Sequence, residues 1–195
     1  MIRPRIGSDL SCTGTLMLQD LYGVPMAIDE RLDPETGLYT RHVFGLLFNH
    51  EIARTHRYPS PLVLLRIAMQ CDTPSNDTWS EEGSACVARI LSNSLRHVDV
   101  PAQFGDDYLV LLPATDEAGG TTVGKRLLQQ FQRDFSTQSG DKQPSKIHIG
   151  LAAHSGGPTA SAETILVQAS KALEEARQRG LNSIVNFREI STLGI

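Results

Sequence analysis

Gly105, Asp106 and Asp107 stand between two runs of strand-like composition, residues 98–100 and 108–112, and put neighbouring carboxylates at one tight tip. Gly105 can supply the positive φ of a short turn, and Asp106 can accept turn hydrogen bonds. Carboxylates presented in this way are hard oxygen ligands, able to hold Mg2+ against a triphosphate during phosphoryl transfer. The same residues are also the common composition of a solvated acidic turn, so the turn by itself leaves both possibilities open.

The elements that must position this turn follow from periodicity. Phe44, Leu47, Phe48 and Ile52 recur at spacings of three and four and predict a helix over residues 43–56. Residues 61–69 are rich in Val, Leu and Ile, as expected of a central strand buried on both faces. Ser80 with Glu81 and Glu82 opens a second helix, whose apolar stripe is Cys86, Val87, Ile90, Leu91 and Leu95. Thr115, followed by Asp116 and Glu117, starts a third helix that runs to Phe135, and residues 136–145 form a polar loop. A further strand is expected over 147–153 and a last helix over 162–179, stopped by Gly180. Strands alternating with helices, with a hairpin among them, predict an α/β fold whose sheet, mixed or antiparallel, is covered by helices.

Bulk properties narrow the function. A chain of 195 residues, 40% hydrophobic, suits one core-forming domain. A formal charge of -4 argues against binding a nucleic acid polymer, which calls for a basic face. Cys12, Cys71 and Cys86 are widely spaced and support neither a disulfide framework nor a zinc site. No run approaches the roughly 18 apolar residues of a membrane span, so the expected setting is the cytoplasm, away from any membrane.

Several motifs carry a resemblance. Asp33-Pro34-Glu35-Thr36-Gly37-Leu38-Tyr39-Thr40-Arg41 is similar to the opening D-P-L-T-G-L-Y-N-R of the GGDEF family, the diguanylate cyclase domains. Residues 105–108 then resemble the signature turn, Ile147-His148-Ile149-Gly150-Leu151-Ala152 the S-I-G-I-A strand, and residues 169–182 the last helix. The likeness implies the nucleotidyl-cyclase-like fold, in a GGDEF-like domain over residues 33–195, with residues 1–32 an N-terminal arm outside it, of unassigned role.

It also implies a damaged reaction centre. The family's D-I-D triplet, which supplies a metal carboxylate, corresponds here to Arg66-Ile67-Ala68, and an arginine there would repel a divalent cation. Gly105-Asp106-Asp107-Tyr108 stands where Gly-Gly-Asp-Glu-Phe would be, one residue shorter. The guanine-placing N-D pair corresponds to Asn76-Asp77, the acid that reads the guanine edge to Ser84, and the phosphate-holding K-x-x-x-R to Arg177 and Leu181. Defects in the metal site, base site, turn and clamp together predict no cyclase activity and no required cofactor.

One feature of the family is retained. Arg96-His97-Val98-Asp99 matches its inhibitory-site R-x-x-D, and Arg126 falls where the family places an additional arginine. Such a trio implies a cyclic di-GMP site: guanidinium meets guanine O6 and N7 or phosphate, and carboxylate accepts from guanine N1 and N2. The same residues can equally make a helix-end ion pair with a solvated Arg126. His97 is expected to be an exposed neighbour and Trp79 to cover a loop. Three functions therefore stand: a catalytically inactive cyclic di-GMP receptor; a nucleotide-free interaction domain that pairs with itself as a homodimer or with a signalling partner; and, least favoured, an active diguanylate cyclase using GTP and Mg2+.

Overall fold

Among the described residues, five strands form one mixed sheet in the order β2-β3-β1-β4-β5, with helices on both faces. The computed structural model describes residues 31–71, 81–136, 144–180 and 182–193. In chain order the elements are α1 (Arg41–Arg57), β1 (Leu62–Cys71), α2 (Glu81–Ser94), β2 (Val100–Phe104), β3 (Asp107–Pro113), α3 (Glu117–Ser136), β4 (Pro144–His154), α4 (Ala162–Arg179), β5 (Ser183–Asn186) and α5 (Phe187–Leu193). The expected positions at Asn76-Asp77, Trp79 and Leu181, the loop over 137–143 and nearly all of the N-terminal arm lie outside the described residues.

Strand β1 is central, antiparallel to β3 on one side and to β4 on the other, while β5 joins β4 in parallel. Its alternation splits the core. Val63, Leu65 and Ile67 face α2 and α3, together with Tyr108, Val110 and Leu112 of β3. Leu62 and Leu64 face α1 and α4, with Leu109 and Leu111. The outer edge of β2 is covered by one residue of the Asp33–Tyr39 turn: Tyr39 N donates to Pro101 O (3.2 Å), and Gln103 N donates to Tyr39 O (3.3 Å). That turn is closed by Asp33 Oδ1, which accepts from Thr36 N and from Thr36 Oγ1, each at 2.8 Å.

Helix α4 begins and ends as its sequence dictates, with Ser161 Oγ accepting from Thr164 N (3.4 Å) and Gly180 at φ +96°. Elsewhere the structure corrects the expectation. Asp116, not Thr115, caps α3, its Oδ1 accepting from Gly119 N (2.8 Å); the Thr115 hydroxyl instead donates to Pro113 O. The first arm of the hairpin is Val100–Phe104, not residues 98–100. Asp99 N donates to Arg96 O (3.0 Å), closing a turn that leaves Val98 60% exposed. Strand β5 and helix α5 had no forecast, because four residues are too few to display an alternation.

Candidate functional site

Two residues, Gly105 and Asp106, make the turn between β2 and β3, with Phe104 paired to Asp107 across it. Gly105 has φ +64° and Asp106 does not, the pattern of a type II′ hairpin. The expected pair of carboxylates at one tip is therefore not formed. Asp106 is exposed, whereas Asp107 is the first residue of β3 and is 7% exposed, on the same sheet face as Leu109.

On that face Asp107 meets arginine. Arg66, two residues along β1 from Leu64, donates from Nε to Asp107 Oδ2 (2.8 Å), and its Nη2 lies 2.6 Å from the same oxygen. Its Nη1 donates to Ser170 Oγ of α4 (2.7 Å), and its guanidinium lies 5.4 Å from the centre of the Phe104 ring. Arg41 stacks on the same ring at 4.4 Å. Arg177, two helical turns beyond Ser170, donates from Nη2 to Asp107 Oδ1 (3.3 Å) and also pairs with Glu174. Burial and then the Arg177 charge hold the nearby buried His148 below its ordinary value, so it is neutral at pH 7.

These residues do not fit a divalent cation. Magnesium needs about six oxygens in a tight octahedron, and both Asp107 oxygens are taken by guanidinium groups. Ala68, opposite Asp107 in β1, offers no ligand, and the Arg66 charge opposes a cation at close range. The other side of the sheet is filled too. Tyr108, 1% exposed, hydrogen-bonds Ser84 of α2, so two buried side chains satisfy each other where the resemblance expects guanine recognition. Burial, together with Asp33 and Asp106, raises the tyrosine hydroxyl, and the Ser84 bond opposes that rise. Ser170, Phe104 and Arg41 were missed from sequence. Ser170 and Arg177 had the available signal, since a seven-residue spacing places them on one helix face.

The R-x-x-D turn lies between α2 and β2. Asp99 is 6% exposed; its Oδ2 accepts from Arg96 N (2.7 Å), and its buried Oδ1 accepts no hydrogen bond among the described residues. Arg96 and Arg126 are both exposed, and both bear electrostatically on Asp99, so the expected trio is brought together. Arg126 reaches back from α3, its Nη2 donating to Ser94 O, the last residue of α2 (2.6 Å). His97 is exposed.

Burial raises the Asp99 carboxyl above its ordinary value, while the Arg96 amide and the two arginine charges pull it back. A group raised by folding contributes stability that is full below its unfolded value and lost as the pH rises through its folded value. At pH 7 the charged form is therefore a cost. Asp99→Asn should melt higher than the parent at pH 7, with the gap closing as the pH falls toward 4, and differential scanning calorimetry across that range checks it. A melting point below the parent at pH 7 would contradict the assignment.

The family described as "Diguanylate cyclase, GGDEF domain" matches residues 30–183. Diguanylate cyclase DosC of Escherichia coli (strain K12) is 24% identical over 174 residues, 86% of this chain and 37% of that protein. Diguanylate cyclase DgcP of Pseudomonas aeruginosa is 28% identical over 153 residues, 76% of this chain and 22% of that protein. The chain thus spans well under half the length of these curated relatives. Among solved structures, the GGDEF domain of DgcB from Caulobacter crescentus in complex with c-di-GMP superposes with a TM-score of 0.72 at 17% identity, covering 84% of this chain and 99% of that one. The FimX GGDEF domain of Pseudomonas aeruginosa gives 0.68 at 20% identity, covering 80% and 98%. The family match covers well over half of the chain, and the chain belongs to the GGDEF domain family.

Proposed function

We propose that this GGDEF domain is a catalytically silent receptor that binds cyclic di-GMP through Arg96, Asp99 and Arg126, with no cofactor. One observation carries the proposal: Asp99 keeps a buried acceptor oxygen without a hydrogen-bond partner among the described residues, under the influence of the Arg96 and Arg126 charges, while Asp107, the acid of the signature turn, is consumed by Arg66 and Arg177. A carboxylate oxygen with no partner is costly unless something arrives to pair with it, and the N1–H and N2–H of guanine are donors of the right kind. The exposed guanidinium groups can take the O6/N7 edge or a phosphate. The DgcB domain solved in complex with c-di-GMP supports the ligand, since it has the same fold. In this role the output passes to a second copy of the chain or to a protein partner; the relative SiaD of Pseudomonas aeruginosa has been solved with its activator SiaC.

Calorimetric titration of the whole chain with cyclic di-GMP should give micromolar or tighter binding. Arg96→Ala should weaken it at least tenfold, the scale of one bidentate guanine contact at roughly 1–3 kcal/mol. Incubation with GTP and Mg2+ followed by chromatography should yield no cyclic dinucleotide. Product, or binding indifferent to Arg96→Ala, overturns the proposal.

A further inference from the structure

Helix α2 ends where the ligand trio begins, and two side chains one turn apart on α3 both hold that end. Arg126 and Gln130 are four residues apart and so share a helix face. Arg126 donates from Nη2 to Ser94 O (2.6 Å), a cation on one of the carbonyls that a helix leaves unpaired at its C-terminus. Ser94 Oγ donates to Gln130 Oε1. Ser94 is thus gripped through its backbone by one residue and through its side chain by the other. From Ser94 the chain passes directly into the turn closed by Arg96 N on Asp99 Oδ2 and by Asp99 N on Arg96 O. The placement of Ser94 therefore sets both where the Arg126 guanidinium is parked and where the turn holds Asp99, with its unpartnered oxygen.

We infer that Ser94 and Gln130 are positioning residues of the cyclic di-GMP site: their hydrogen bond locks the end of α2 to α3 and thereby preorganises Arg126 opposite Asp99. This rests on the cyclic di-GMP proposal above. Neither residue needs to touch the ligand. A long arginine side chain loses rotamer freedom when it engages a ligand, and one already held by a carbonyl loses less on binding. Releasing the latch leaves all three ligand groups present and removes only their spacing.

Two measurements on the full chain test it. In titrations with cyclic di-GMP, Ser94→Ala and Gln130→Ala should each weaken binding roughly 3- to 10-fold, the scale of freeing one rotamer-rich side chain, while Ser94→Thr, which keeps the hydroxyl, should bind like the parent. In the ligand-free chain, a carboxyl-carbon NMR titration of Asp99 should move upward in Ser94→Ala and Gln130→Ala, because a loosened end of α2 weakens the small contribution of the Arg126 charge to the ionised form, and stay in place in Ser94→Thr. A merely structural role would lower the melting temperature without moving that titration. A parent chain that fails to bind cyclic di-GMP overturns both proposals. A parent that binds, with alanine variants that bind as well and an unmoved Asp99 titration, overturns this one alone.

Discussion

Arg66→Ala should lower the stability of the chain by about 3 kcal/mol, a fall in Tm of roughly 6 to 12 °C. The substitution removes both strong contacts to Asp107 Oδ2 and leaves that buried carboxylate with Arg177, which is half-exposed and 3.3 Å away. The Ser170 hydroxyl loses its guanidinium partner, and the Phe104 ring loses one of its two cations. Most of the cost comes from stranding a charge, so a second substitution that removes the charge should give some back. Arg66→Ala combined with Asp107→Ala should be at least about 1 kcal/mol more stable than Arg66→Ala alone, measured from urea midpoints. Purely additive losses would show that the two groups do not depend on one another.

The pair is also the clearest example of what a sequence withholds. Arg66 and Asp107 are 41 positions apart, and their meeting requires the register that puts Arg66 opposite Leu109 and Ala68 opposite Asp107. Periodicity gives which strands exist, not how far one slides along another. The absence of an acid at position 66 was legible, but its salt bridge to the turn was not. Long elements with strong apolar repeats, α1, α2, β1 and α4, were legible because burial of Phe44, Leu91, Leu65 or Leu173 repeats at the helix or strand period. β2 was misjudged because Pro101 and Gln103 dilute its alternation, and it is held partly by Tyr39, a contact distant in sequence. For the R-x-x-D group, sequence named Arg96, Asp99 and Arg126. It could not show that Arg126 rests on the end of α2, since that depends on how α2 and α3 pack.

Gly150→Ala should be comparably damaging, costing about 3 kcal/mol or more. Gly150 sits in the middle of β4, opposite Arg66 in β1 and Val185 in β5, beneath α4. A methyl there would collide with Ala169 O and Leu173 N and lie 2.8 Å from Leu173 Cα. These are backbone atoms of a helix, which cannot step aside by changing a rotamer, so the whole of α4 must lift. Lifting it carries Ser170 and Arg177 away from Arg66 and Asp107. The effect on stability should accordingly be less than additive with Arg66→Ala, because each change spoils the same contacts. Thermal melts of the two single variants and the double variant check this; full additivity would place the α4 displacement elsewhere.

The Tyr39 contact on the rim of the sheet bears on how copies of the chain can meet. A bare outer strand is an invitation to neighbouring polypeptides, which can extend the ladder without limit. Here the outward-facing Pro101 O and Gln103 N are already spent on Tyr39, and proline brings no amide hydrogen of its own. Recruitment of a foreign strand at this rim is blocked by the opening turn of the domain itself, so association through this side must rely on side chains, where specificity and reversibility can be tuned.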